Sequence, residues 1–310
     1  MSLLRKSAIG LIAALCSASL AHADTKLSIG FTMNGEAAPI YVAKEQGIFA
    51  KHGLDVTLVP IAVNSTLPAA LMSDSVQIGT ISPTVFLQAS QNGLGLTGVS
   101  GMTVTSQTGA RVGIVAGKNS GITNLKDLSG KTLGIPGVSA VLDIMARRLL
   151  IDAGVDVSSI NYTETPFPVQ SDVLKADTVA AVVTVDPFLS RIEAAGIGKP
   201  IANLLDGVPD GELAQFFATT ADWAKENPKT VAAFRDAITE AMKVAASDPS
   251  STRKAIGVYV KMPPEMLNTI ALPTPDARLT KEQLDWWVEV MRKQGLISAS
   301  IDTGSLIWKD

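Results

Sequence analysis

From Asp24 onward, short β-type runs alternate with helical ones, and this alternation constrains the fold more than any other feature of the chain. Residues 27–31 read as a strand, 37–50 as a helix with Pro39 tolerated in its first turn, and 55–60 as a strand. A short helix over 67–72 and a strand over 76–81 follow. Ser82 and Pro83 then supply an N-cap and an N1 proline for a helix reaching about residue 91. Residues 94–104 are extended. A second series offers strands at 112–116, 132–135, 160–163, 180–185 and 213–219, with helices at 139–153 and from Asp186-Pro187 to 195. The remainder is mostly helical. Apolar stripes mark 228–246 (Val231, Phe234, Ile238, Ala241, Ala245) and 280–293 (Leu284, Trp287, Val288, Met291). Such alternation predicts an α/β fold with largely parallel sheets.

With 310 residues the chain is long enough for two domains, and 46% hydrophobic with 18% charged residues excludes disorder. Residues 1–23 read as a secretory signal: Arg5 and Lys6, an apolar run over 8–20, then Ala21-His22-Ala23, with cleavage after Ala23. The run is too short for a bilayer core, which needs about 20 residues. Cys16 raises a lipoprotein alternative, but Leu15 stands where that signal needs a small residue. Removing the signal takes Arg5, Lys6, Cys16 and His22. It leaves 24 basic and 29 acidic residues, a net charge of −5, no Cys, and His52 as the one His. No basic footprint for nucleic acid is present. Disulfides, a thiolate nucleophile and a zinc site with two His are excluded, and any Ser-His-Asp triad would have to use His52. His52 sits before Gly53, where a helix ends, and a capping role suits it. The sequence therefore predicts no catalytic residue, no metal site and no cofactor. Two further motifs fail: Gly93-Leu-Gly95-Leu-Thr-Gly98 leads from helix to strand, the reverse of a dinucleotide fingerprint, and Ser129-Gly130-Lys131-Thr132 lacks the upstream glycine of a phosphate loop.

One stretch stands out: Ala38-Pro39-Ile40-Tyr41-Val42-Ala43-Lys44-Glu45-Gln46-Gly47-Ile48-Phe49, then Lys51-His52-Gly53-Leu54-Asp55-Val56. Further matching pieces lie at 69–79, 120–122 and 127–134, fading to Asp186-Pro187-Phe188 and Gly196. Together they resemble the periplasmic solute-binding proteins of the nitrate/sulfonate/taurine/thiamine-precursor ABC transporter family. The resemblance implies a two-lobe periplasmic-binding-protein fold of type II, each lobe a mostly parallel sheet flanked by helices. The expected division is 24–112 plus 218–310 for one lobe and 113–217 for the other. It implies a periplasmic monomer, not an enzyme, that captures a small-molecule ligand by hinge closure and delivers it to an ABC permease and ATPase. The ligand is a sulfonate- or carboxylate-type anion or a nitrogen heterocycle. Two rivals are a thiamine-pyrimidine-synthase-like enzyme, whose cysteine-rich segment and iron site the mature chain lacks, and a secreted sensor subunit for a membrane receptor.

In open α/β sheets, ligands collect at the carboxyl ends of strands and the starts of helices, where free N–H groups favour anions. That rule selects Met33 and Asn34, then Asn64, Ser65 and Thr66, then Ser82 and Thr84, then Gly137, Val138 and Ser139, and finally Asp186. For each Ser or Thr the plain alternative is an N-cap that binds nothing. Arg111 can meet an anion bidentately or simply be solvated. Glu36 and Asp186 can instead meet an amine or ring N–H, although a carboxylate in a first helical turn also complements the helix dipole. Phe31, Phe86, Phe167 and Phe188 can stack on a ring or merely pack.

Overall fold

The computed structural model describes residues 24–298 and 300–309. The expected signal segment, with Cys16 and the cleavage position, lies outside them.

The chain runs β1 (Thr25–Thr32), α1 (Ala38–Glu45), α2 (Ile48–Lys51), β2 (Leu54–Ile61), α3 (Leu67–Met72), β3 (Ile78–Ile81), α4 (Pro83–Gln91) and β4 (Leu96–Val104). It then crosses into β5 (Val112–Gly117), β6 (Thr132–Ile135), α5 (Val141–Asp152), β7 (Asn161–Glu164), α6 (Gln170–Lys175), β8 (Ala181–Val185), α7 (Phe188–Ala194) and β9 (Gly198–Asn203). It returns through β10 (Leu213–Thr220), α8 (Ala221–Glu226), α9 (Pro228–Ser247), α10 (Pro249–Val260), α11 (Pro264–Leu267), β11 (Thr274–Pro275) and α12 (Lys281–Lys293).

Two sheets result, ordered β11-β4-β10-β3-β1-β2 and β7-β6-β8-β5-β9. Each has the parallel core expected of helix-connected strands: β1 pairs in parallel with β2 and β3, and β6 with β7 and β8. Antiparallel strands are added to these cores. β10 lies between β3 and β4, and β5 lies between β8 and β9.

Three local departures from the sequence expectation have physical causes. The helix expected over 37–50 breaks into α1 and α2 because Gly47 adopts φ +68°, a left-handed conformation that costs glycine little. Ser139 does not open α5. It sits at φ +60°, and its N–H donates to Asp143 Oδ2 at 2.8 Å, so helical geometry starts only at Val141. β9 is an unexpected strand. Its Gly198-Lys199-Pro200 start reads as loop, but β9 is an edge strand, where proline sacrifices no central ladder bond.

The two apolar stripes are core, as their spacing requires: Val231, Phe234, Ile238 and Ala241 are buried along α9, and Leu284, Trp287, Val288 and Met291 along α12. Thr280 and Gln283 form a reciprocal capping box at the start of α12, and the Trp287 indole N–H donates to the Leu213 carbonyl at 2.7 Å. Phe86 of α4, Leu133 of β6, Ile144 of α5 and Trp287 of α12 belong to one continuous apolar cluster. The two sheets' layers are thus packed against each other on that side.

Candidate ligand-binding site

A cleft opens between the carboxyl ends of the two sheets' strands and encloses about 760 Å³, open space at its mouth included. Thr32 ends β1, and Asn34 and Glu36 follow at alternate positions. Asn34 is extended at φ −154°, ψ −177° and Glu36 lies in the one-turn 3₁₀ helix Gly35–Ala37 that follows; all three side chains line the cleft. The first sheet adds Val104 and Thr105 from the end of β4, and Ala214 and Gln215 from the start of β10. The other wall comes from the second sheet: Pro136 after β6, Val185 ending β8, Phe167, and Val141, Leu142 and Met145 on one face of α5. Phe167 is held by stacking on Phe188, with ring centres 5.5 Å apart.

Glu36 is the one ionisable side chain on this wall. It keeps a partly exposed edge on the cleft, but protein packs around its carboxyl. Burial pushes its pKa up to about 7, with the Thr103 hydroxyl working against the shift. Thr103 pairs in register with Gln215, so Glu36 faces the β4–β10 ladder.

The walls meet at two places. Ser65 Oγ, after β2, donates to Glu164 Oε1 at the end of β7, 3.0 Å away, and the same oxygen accepts the Val138 N–H at 2.8 Å. Gly35 lies so near the Asp186 carbonyl that a Cβ there would stand 2.8 Å from its oxygen. Gly35 is needed for this close approach; its backbone is otherwise ordinary.

A family model described as NMT1/THI5 like matches residues 34–252. The chain belongs to the NMT1/THI5-like family. A riboflavin-binding protein, RibY, of Chloroflexus aurantiacus is 24% identical over 305 residues, spanning 89% of this chain and 82% of that one. Among solved structures, the alkanesulfonate-binding protein SsuA of Xanthomonas axonopodis pv. citri, bound to MOPS, superposes with a TM-score of 0.78 at 17% identity, covering 92% of this chain and 98% of that one. The periplasmic nitrate-binding protein NrtA of Synechocystis PCC 6803 gives 0.74 at 18% identity, covering 91% and 84%. At such identities the superpositions show a shared two-sheet periplasmic-binding-protein fold.

In this NMT1/THI5-like chain the sequence-predicted residues part company. Asn34 and Asn64 line the cleft, and Ser65, Val138 and Asp186 lie where its walls touch. The Asn64 amide is occupied by structure: it donates to the Thr80 carbonyl at 2.9 Å and accepts the Ser82 N–H at 2.9 Å. Ser82 is a buried N-cap of α4, accepting from the Val85 N–H at 3.4 Å and meeting the Thr84 hydroxyl at 3.2 Å. Neither Ser82 nor Thr84 is on the cleft wall. The Thr66 hydroxyl closes its own turn onto Val63, and Met33 packs against the core behind β1. Asp186 is buried, and its Oδ1 accepts both the N–H and the hydroxyl of Ser190, at 3.0 and 2.7 Å. Burial raises its pKa against these bonds. Arg111 is off the wall and pairs with Glu193 at 2.9 Å, both about half exposed (47% and 45%). Ser139 is likewise off the wall. His52 ends α2 and meets Glu240 at 2.9 Å. Phe31 and Phe86 are core, edge-on to Tyr41 and Phe216.

Thr32, Thr105 and Gln215 were not singled out by the sequence. The strand-end rule applied to the last residue of β1 and the first beyond β4 finds Thr32 and Thr105. A lone Gln inside the apolar run over 213–218 is the signal for Gln215. Among the described residues no cluster of His, Cys, Asp and Glu could hold a metal ion, and no helix is long and apolar enough to cross a membrane.

Proposed function

We propose that this chain is the periplasmic substrate-binding component of an ABC importer. It takes up a small solute between its two sheets, closes over it, and delivers it to a membrane permease with its ATPase. The observation that carries this is the cleft itself, walled by strand ends from both sheets and bridged at its mouth by Ser65–Glu164 and Gly35–Asp186. A solute touching both walls favours the closed arrangement by its difference in affinity between closed and open states. Membership of the NMT1/THI5-like family and the binding-protein neighbours support the same role.

In this proposal residues 24–104 with 213–310 form one lobe and 112–203 the other, with the crossings after β4 and β9 as hinges; the division expected from the sequence, at 112 and 217, would cut β10, which pairs with β3 and β4, and would detach Val112 from β5. Asn34 and Asn64 remain in the ligand site, joined by Thr32, Glu36 and Gln215, while Ser65 and Glu164 fasten the lobes. The secreted form starts at Asp24, is monomeric and carries no catalytic group.

Native mass spectrometry of freshly secreted protein, followed by X-ray scattering with and without the released solute, tests this. The expected result is a monomer starting at Asp24 that carries one small molecule and contracts when it rebinds. An unoccupied protein whose radius of gyration responds to no solute would overturn the role.

A further inference from the structure

We infer that the cleft selects a nitrogen heterocycle that presents N–H or amino donors to Glu36, and rejects sulfonate-, carboxylate- and nitrate-type anions. This inference rests on the cleft being the solute site.

The first argument is the charge of the wall. Among the lining residues there is one carboxylate and no Lys, Arg or His. A small anion in such a cleft would lose its hydration without gaining a cation, a cost that binding does not recover. Arg111, the cation that could have answered it, is taken by Glu193 outside the wall. Arg147 is taken as well, holding Asp143 Oδ1 at 2.7 Å and lying over the Tyr162 ring.

The second argument concerns the backbone N–H groups that usually hold anions at helix starts. Here the protein's own side chains occupy them. Ser82 accepts from the first turn of α4. Asp143 accepts the Ser139 N–H before α5, Asp186 accepts the Ser190 N–H in α7, and Glu164 accepts the Val138 N–H. Three of these four acceptors are carboxylates, so the N–H groups on the second sheet's side of the mouth are already saturated by the protein's own acidic oxygens, Asp143 being neutralised in turn by Arg147. Asp186 Oδ2 is buried with no hydrogen-bond partner, a further acceptor and not a donor.

The third argument is shape. Opposite Glu36 the wall is apolar: Val141, Leu142, Met145, Phe167 and Val185. A ring fits such a surface, and its edge N–H or amino groups give the carboxylate the charge-assisted bonds it lacks.

Calorimetric titration tests the class, using secreted protein stripped of carried solute by unfolding and refolding. The probes are cytosine, 2-aminopyrimidine and riboflavin on one side, and nitrate and ethanesulfonate on the other. At least one heterocycle is expected to bind, Glu36→Gln is expected to weaken it by about tenfold or more, and both anions should give no heat at millimolar concentration. A thermal melt of Glu36→Gln confirms that the variant is folded. Anion binding, or heterocycle binding that Glu36→Gln leaves unchanged, overturns the ligand class and leaves the importer role standing. Silence from every heterocycle overturns the class as well, and the mass of the co-purified solute then decides the importer role separately.

Discussion

The Glu36 carboxyl should make the ligand-free protein less stable as pH rises, and Glu36→Gln should remove that loss. In the unfolded chain the carboxyl titrates near 4.5; in the fold it titrates at about 7. An acid whose pKa is raised by folding contributes stability that is full below the unfolded value and disappears as pH climbs through the folded one. The window is therefore pH 4.5 to 7. The shift corresponds to about 3 kcal/mol, an upper bound because the exposed edge of Glu36 lets cleft water offset part of the burial cost. Gln keeps the shape and has no charge to desolvate. At pH 8 the variant should melt higher than the wild type by up to about 6 °C, taking about 2 °C per kcal/mol for a chain of this size. At pH 4.5 the two should melt together. Asp143, Asp186 and Glu212 are also raised by burial, so both proteins will lose stability with pH. The difference between the two curves isolates Glu36. Calorimetric melts of solute-free protein across pH 4.5 to 8 provide the assay. Parallel curves would refute the buried-carboxylate argument.

Ser82→Ala should lower stability by about 1 kcal/mol, the value of an N-cap, while solute affinity stays within about twofold; a large loss in titration would restore Ser82 to the ligand site. Gly35→Ala places a Cβ against the Asp186 carbonyl, so solute should bind more weakly and scattering should show incomplete contraction. Full contraction would mean that the loop yields. Glu164→Ala removes the acceptor of both Ser65 and Val138, and stopped-flow release of bound solute should quicken by up to about fivefold, with the melting temperature of the free protein little changed. An unchanged release rate would show that the bridge does not fasten the closed state.

Much of the fold was legible in the sequence because its strands and helices carry different periods, and the motif over 38–56 sits on α1, α2 and the start of β2. What escaped was set by distant neighbours. Nothing in Gly198–Asn203 says strand; β5 makes it one by offering an edge. The pairing of β10 between β3 and β4 is likewise a tertiary choice. At the candidate site, the strand-end rule leads to the edge of the sheets where the cleft opens but does not say which polar groups are already spent. Asn64, Ser82 and Asp186 each stand where a ligand group should stand, and each is bonded to its own backbone surroundings. Glu36 read as a dipole-compensating residue in a helical first turn. Its importance comes from what surrounds it, the β4–β10 ladder and an apolar wall supplied from residues more than a hundred positions away.

The position of β10 has a consequence for the order in which the molecule can be made. It is hydrogen-bonded between β3 and β4, yet it is translated only after β5 through β9. Until then β3 and β4 have no shared partner, and each presents an unpaired edge. Every strand of the second sheet, by contrast, is available once Asn203 has emerged, so that sheet can mature while the first is still two separate pieces. Arrival of Leu213–Thr220 then joins those pieces, and α12 completes the layer by bonding Trp287 to the Leu213 carbonyl. A nascent chain stalled before residue 213 would hold a finished inner half and an adhesive outer one, the arrangement most in need of a holding chaperone.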